Sequence, residues 1–244
     1  MQGQSQQQAY DRGITIFSPD GRLYQVEYAR EAVARGTASV GVRTPDGVVL
    51  GAVRRVRSPL MERDSVEKLH KADDHVGIAS AGHVADARKL IDFARRRAQT
   101  EEVRYGQPVD VETLTKAVTD NIQQYTQTGG ARPFGVALLV GGVDGGEPRL
   151  FETDPSGTPY EWQATAVGGD REAIQDVLEE GYREEMDLDA GIDLALEGLG
   201  VTNDDLSAEG VELATIDVES ERFERVEEDV IASHLADLEG DEDA

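Results

Sequence analysis

The sequence predicts an α/β fold in one domain, a four-layer α/β/β/α sandwich in which two antiparallel sheets pack face to face and helices cover both outer faces. Two observations favour it. Short apolar runs separated by Gly, Pro and Asp alternate with pairs of segments that have helical periodicity. The runs are apolar on both faces, as expected for sheets that are covered on both sides. A two-domain α+β arrangement is the alternative, although no repeat or long linker divides the 244 residues.

The first predicted elements are a short helix and two hairpins. Apolar residues at helical spacing predict a helix over residues 21–34, and they are Leu23, Val26, Ala29 and Val33. The runs TASVGVR and GVVLGAVR, joined by the turn TPDG, predict a β-hairpin. The runs VEKLHKA and HVGIASAG predict a second hairpin in the same way.

Two long helices and a second group of strands follow. The two helical faces consist of Val84, Ala87, Ile91, Ala94 and Ala98, and of Val111, Leu114, Val118, Ile122 and Tyr125. Strands are expected in FGVALLVGGVD, RLFETDPSG and YEWQATAVGG, with GGVDGG as a hairpin turn. After them, Asp170 is expected to cap a helix over residues 170–183.

The C-terminal part is expected to contain a helix over residues 187–199, a strand in GVELATIDVE and a final helix in RFERVEEDVIASHLADL. The acidic residues 237–244 are predicted to be disordered. We therefore divide the chain into an N-terminal segment with the first helix (1–35), the sandwich domain (36–236) and an acidic tail (237–244).

The composition restricts the function classes. A formal net charge of −25 disfavours nucleic acid or an anionic membrane as a partner. The acidic residues are spread along the whole chain, which is typical of a protein that stays soluble in high salt, although an ordinary acidic protein is the alternative. The basic residues include only four lysines, which are Lys68, Lys71, Lys89 and Lys116. The chain has no cysteine, which excludes disulfides and thiolate chemistry.

Targeting and metal-binding signals are not found in the sequence. The polar start MQGQSQQQ lacks the pattern of a secretion signal, and no apolar run approaches membrane-spanning length. We therefore expect a soluble cytoplasmic protein. The spacing of the histidines does not match a metal-binding motif, so neither a metal nor another cofactor is expected. These residues are His70, His75, His83 and His234.

One long stretch carries a family resemblance. The residues YDRGITIFSPDGRLYQVEYAREAV, followed by RGT, closely resemble the N-terminal signature of proteasome α subunits. The likeness continues in EKLHKADDHVGIASAGHVADARKL and QQYTQTGGARPFGVALL, and covers roughly residues 9–235. It implies the same four-layer fold and a subunit without catalytic activity that builds a seven-membered outer ring of the proteasome core particle.

The related β subunits are proteases whose nucleophile is an N-terminal threonine that its own amine activates. By resemblance, Thr37 takes the place of that threonine, but it is linked to Gly36 and has no free amine. The acid of the β subunits lies sixteen positions further on, where this chain has Val53. The lysine of the site is matched by Lys68. We therefore expect no catalytic residue in this chain.

The resemblance assigns other roles to three groups of residues. Tyr10, Asp11, Arg12, Pro19 and Tyr28 match positions that clamp an N-terminal gate, which excludes folded proteins from the chamber. A second group matches a pocket that receives the C-terminal tails of a regulatory AAA ATPase, which end in a hydrophobic residue, a tyrosine and one more residue; this group is Lys68, Gly36, Gly82 and Arg30. A third group matches the loop that narrows the pore beneath the gate, and it contains Gly129 and Gly130.

The partners implied by the resemblance are other α subunits, catalytic β-type subunits, the ATPase and unfolded substrate proteins in transit. One alternative is an active hydrolase of the same superfamily, in which self-cleavage after Gly36 exposes Thr37 as the nucleophile. The other is a ring-forming chaperone or scaffold that has no protease partner.

Overall fold

Two five-stranded antiparallel sheets form the centre of the structure. The computed structural model describes residues 23–56, 58–127, 132–201, 203 and 206–242. The strands, in chain order, are β1 Ser39–Thr44, β2 Gly47–Val53, β3 Leu69–Asp73, β4 Val76–Gly82, β5 Val136–Asp144, β6 Glu147–Thr153, β7 Pro159–Glu161, β8 Ala164–Val167, β9 Val211–Asp217 and β10 Arg222–Arg225. One sheet has the order β10-β9-β2-β1-β8 and the other β3-β4-β5-β6-β7.

Helices cover the outer faces of both sheets. They are α1 Tyr24–Ala34, α2 Val84–Tyr105, α3 Val111–Gln127, α4 Arg171–Gly181, α5 Leu188–Gly200 and α6 Glu228–Glu242, with short 3-10 turns at Arg63–Ser65 and Ala208–Gly210. The helices α2 and α3 pack on the second sheet, whereas α4 and α5 pack on the first. The four-layer sandwich predicted from periodicity is confirmed.

Apolar side chains fill all three interfaces between the layers. Leu50 and Leu139 are buried between the two sheets. Leu90 of α2 and Leu114 of α3 are buried on the side of the second sheet, and Leu199 of α5 is buried on the side of the first. Among the described residues, no helix is both long and apolar enough to cross a bilayer.

The turn predicted in GGVDGG is narrower than expected, because residues 141–144 are the end of β5. Only Gly145 and Gly146 form the turn, with φ of 58° and 88°. A two-residue hairpin with positive φ at both positions matches the right-handed twist of the paired strands, which explains why glycine occupies both positions.

Two predictions at the C-terminal end are wrong. Residues 222–225 form the strand β10, paired with β9, rather than the start of the last helix. The preceding turn is closed by Asp217, whose Oδ1 accepts the N–H groups of Glu219 (2.7 Å) and Ser220 (2.9 Å). Residues 237–242 continue α6 instead of being disordered, because Leu238 packs against the core beneath α5.

Candidate functional site

Three glycines bring distant parts of the main chain into contact at the end of α1. A Cβ atom added to Gly36 would lie 2.5 Å from the N atom of Gly82, and one added to Gly168 would lie 2.7 Å from the O atom of Thr37. Gly82 itself has a φ of 111°, and its Cβ atom would lie 2.4 Å from the O atom of Gly135. Only glycine fits such approaches, so the main chains of these segments lie in direct contact here.

Thr37 lies in the middle of this contact, but it is not placed to act as a nucleophile. It follows Gly36 in a continuous chain, so its nitrogen is an amide and cannot accept a proton as a base. The carbonyl of Gly36 accepts the N–H of Gly169 at 2.8 Å, which ties this peptide to the start of α4.

Lys68 points at the main chain of Thr37. Its Nζ lies 3.5 Å from the Thr37 carbonyl oxygen, a long hydrogen bond. The residue is 8% exposed, and burial lowers the pKa of its ammonium to about 8, whereas the negative charge of Glu212 raises it. A buried ammonium has three donors, of which the Thr37 carbonyl uses one, and it is a strong partner for a carboxylate.

The position that the resemblance assigns to the catalytic acid holds an apolar side chain. Val53 ends β2 and packs against the core beneath α5. Its N–H donates to the carbonyl of Ala38 at 3.0 Å, so it performs a structural role next to Thr37. The carboxylate near Lys68 comes instead from Glu212 on β9, whose Oε2 accepts the main-chain N–H of Lys68 at 3.1 Å.

A cleft of about 650 Å³ opens beside Gly36 and Thr37. Its lining includes Arg54 and Arg55, which follow β2, and Asp170, which precedes α4. The prediction that Asp170 caps α4 with its side chain is wrong. Its backbone has the left-handed conformation (φ 56°) instead of the extended one that is usual for an N-cap residue, and it makes no side-chain capping bond.

Arg30 lies apart from Lys68, Gly36 and Gly82. Its guanidinium donates to Asp154 at 2.9 and 3.0 Å and to Glu27 at 2.6 Å. It lines a neighbouring cavity of about 810 Å³ rather than the cleft beside Thr37. The structure therefore brings together three of the four residues expected in the docking pocket.

The remaining candidate residues are divided between the described and undescribed parts of the chain. Tyr28 lies on α1 and is 54% exposed. The other gate residues fall outside the described residues, and so do the two glycines of the pore loop; they are Tyr10, Asp11, Arg12, Pro19, Gly129 and Gly130.

The histidines have separate structural surroundings. His75 Nε2 lies 2.8 Å from the carbonyl oxygen of Val109, and His234 Nδ1 lies 2.6 Å from Asp193 Oδ1. Within the described ranges, no group of three or more His, Asp or Glu side chains is arranged to hold a metal ion.

Glu212 is the charged neighbour of Lys68 that the sequence reasoning missed. The segment VELATID was predicted as a strand, and the strand is confirmed, but its glutamate received no role. A charged residue inside an otherwise apolar strand was the available signal, because a buried carboxylate requires charged or hydrogen-bonding partners.

Comparison with known proteins identifies the class to which this fold and site belong. The proteasome subunit family matches residues 33–216, and the N-terminal signature of A-type proteasome subunits matches residues 10–32. The two matches follow each other along the chain and together cover most of it. The chain therefore belongs to the proteasome subunit family.

Individual relatives define its type within that family. It is 77% identical over 205 residues to the proteasome alpha subunit of Natronomonas pharaonis, covering 84% of this chain and 80% of the relative. It is 69% identical over 238 residues to the proteasome alpha subunit of Haloquadratum walsbyi, covering 97% and 95%. It is 71% identical over 240 residues to the second proteasome alpha subunit of Haloarcula marismortui, covering 98% of both. The chain is thus an α-type, noncatalytic subunit of haloarchaeal character, as the resemblance predicted.

Proposed function

We propose that this chain assembles into the seven-membered outer ring of a cytoplasmic core particle, templates the catalytic β rings, gates substrate access and docks a regulatory ATPase. Residues 1–35 supply the gate segment and its first helix, and the sandwich domain from residue 36 onward forms the ring. Its partners are further α subunits, β-type subunits, the ATPase and unfolded proteins in transit. With a net charge of −25, it does not bind nucleic acid or membranes.

The observation that carries this proposal is the buried ammonium of Lys68, which lies beside the main chain of Thr37 at a position without catalytic groups. Thr37 has an amide instead of an amine, and Val53 has no carboxylate. Lys68 is nevertheless buried at this position, with only 8% of its surface exposed. Burial of an ammonium costs free energy of desolvation, which is not expected for a lysine that has no function. A terminal carboxylate that reaches Gly36 and Gly82 would find a charged partner there.

The gate is tested by deletion. Removal of residues 2–12 from the core particle is expected to raise the degradation rate of an unfolded protein without ATPase, because the segment would no longer obstruct the pore. Hydrolysis of a short peptide, which needs a narrower passage, should rise less. An unchanged rate for unfolded protein would contradict the gate role.

Docking is tested at Lys68. In core particles with Lys68→Ala, ATPase-stimulated degradation should be lost while rings still assemble. Lys71→Ala is the matched control, because Lys71 is an exposed lysine that pairs with Asp74 on the neighbouring turn. Stimulation that survives in Lys68→Ala would remove Lys68 from the docking site.

Electron microscopy and co-purification address the assembly itself. Seven-membered rings of the purified chain, and peptide hydrolysis only after mixing with a β-type subunit, are the expected results. Rings that never associate with a β-type subunit would favour the chaperone or scaffold alternative. An intact mass that corresponds to a chain whose first residue is Thr37 would favour the active hydrolase.

A further inference from the structure

A buried carboxylate with a full set of partners lies next to the candidate docking lysine. The side chain of Glu212, near the start of β9, is 6% exposed. Its Oε2 accepts the main-chain N–H groups of Lys68 (3.1 Å) and Leu69 (2.9 Å). Arg225 Nη1 lies 3.5 Å from Oε2, and Arg54 Nη1 lies 3.9 Å from Oε1. Such partners offset the desolvation of the carboxylate, so the charge stays buried in the folded chain.

Glu212 joins the two sheets where the chain enters β3. The strand β3 is at the edge of one sheet, whereas β9 belongs to the other. By accepting two consecutive N–H groups, the carboxylate fixes the main chain of residues 68–69. The carbonyl of Lys68 is held as well, since it accepts the N–H of Ser80 at 3.2 Å. The main chain of Lys68 is therefore held at both its N–H and its carbonyl group.

The charge of Glu212 also acts on the ammonium. Burial lowers the pKa of Lys68 to about 8, and Glu212 opposes that decrease. Val53, at the position of the acid in catalytic relatives, provides no charge. The other charged or titratable groups around the site are Glu67 and His70 along the chain, Arg54 at the end of β2 and Arg225 on β10.

We propose that Glu212 is the positioning residue of the Lys68 docking site, which holds the main chain of residues 68–69 and provides the buried negative charge that keeps the ammonium ready for a partner's terminal carboxylate. The inference rests on the proposed docking function of Lys68. Its signature is a changed pH profile of docking, because removal of the charge favours the neutral amine without removing the lysine.

Glu212→Gln removes the charge and retains an oxygen that can accept the two N–H groups. Glu152→Gln is the matched control, since Glu152 is 4% exposed, pairs with Arg171 at 2.6 and 2.8 Å, and lies three strands away from β3 on β6. Arg225→Gln is the second variant; the side chain of Arg225 is partly exposed, and it also donates to the carbonyl of Leu69 at 2.7 Å and to Glu67 at 2.8 Å. It should have the opposite effect on Lys68, because it removes a positive charge.

The first measurement follows the protonation of Lys68 without any docking partner. The rate of acetylation by acetic anhydride is measured against pH in the full-length chain, and mass spectrometry separates Lys68 from the three other lysines. The wild-type midpoint is expected at about pH 8. In Glu212→Gln it should fall by about one pH unit, in Arg225→Gln it should rise, and in Glu152→Gln it should not change.

The second measurement uses a short synthetic peptide that ends in Leu-Tyr-Ala with a free carboxylate, and its C-terminal amide as a control. Binding of the peptide to assembled rings should weaken above pH 8 in the wild type. In Glu212→Gln the same loss of binding should begin at a pH about one unit lower, and binding of the amide should not depend on the protonation of Lys68. An acetylation midpoint that does not move in Glu212→Gln would overturn the role of Glu212 and leave docking intact. If the acetylation midpoint shifts but the pH dependence of peptide binding does not change, docking at Lys68 is overturned, and the positioning role of Glu212 is overturned with it.

Discussion

Replacement of Lys68 by Met is expected to stabilise the full-length chain at pH 7. The pKa of Lys68 falls from its ordinary value of 10.5 to about 8, which at ~1.4 kcal/mol per pKa unit corresponds to about 3 kcal/mol of unfavourable burial of the charged form. Methionine has a similar length and no charge, and the bond it removes is the long one of 3.5 Å to Thr37. We therefore expect a gain of about 1–3 kcal/mol in the free energy of unfolding.

The pH dependence identifies the cause of that gain. Below pH 8 both the folded and the unfolded wild-type chain hold the proton on Lys68, so the full cost of burial is present. Between pH 8 and 10.5 the folded chain has released the proton and the unfolded chain has not, so the wild type gains stability as the pH rises. The difference between Lys68→Met and the wild type should therefore shrink over this range.

Denaturant unfolding in high salt at a series of pH values measures this difference. Tyrosines and other lysines titrate equally in both proteins, so the difference isolates Lys68. Lys71→Met serves as the control and should give no pH-dependent difference, because Lys71 is exposed. A Lys68→Met protein that is less stable at pH 7, or a difference that stays constant from pH 7 to 10.5, would refute the argument that a buried charge is costly here.

Two further substitutions test the scaffold of the site. Gly82→Ala should cost ~2 kcal/mol or more in denaturant unfolding, since the new Cβ atom would lie 2.4 Å from the O atom of Gly135 at a φ of 111°; wild-type stability would contradict this. Asp86→Ala should cost ~2 kcal/mol at pH 7, because it leaves the buried N–H of Gly135 without its acceptor and removes the carboxylate that pairs with the guanidinium of Arg132. Although burial disfavours the charged form, Arg132 and Gly135 hold the pKa of Asp86 below its ordinary value of 3.8, so the cost should shrink as the pH falls below 3.8, and a constant cost would argue against a charge effect.

Much of the fold was predictable because its layers are periodic. The helices α2 and α3 have apolar faces, and the strands β2 and β4 consist almost entirely of apolar residues and glycine, so each follows from a pattern within its own segment. The strand β10 has four residues, of which only Phe223 is apolar, and it forms because β9 offers an open edge. Such an element depends on its partner more than on its own sequence.

The site divides in the same way. Gly36, Gly82 and Lys68 were identified from motifs, and the structure brings them together through the main chain of Thr37. The arrangement of Glu212 was not predictable, because the main-chain N–H groups that it accepts belong to Lys68 and Leu69, which lie 144 and 143 residues away along the chain. The partners of Arg30 were missed for the same reason, since Asp154 comes from the loop after β6.

The burial of Lys68 affects how strongly its charge can attract a partner at high salt concentration. In about 1 M salt the Debye length is ~3 Å, so charges exposed to solvent scarcely attract each other at a distance. The ammonium of Lys68, which is 8% exposed, is accessible to few salt ions. Its attraction for a carboxylate that displaces water from it is therefore screened much less. At the docking site proposed for this protein of haloarchaeal character, withdrawing the charge from solvent would therefore let charge discriminate between partners in high salt.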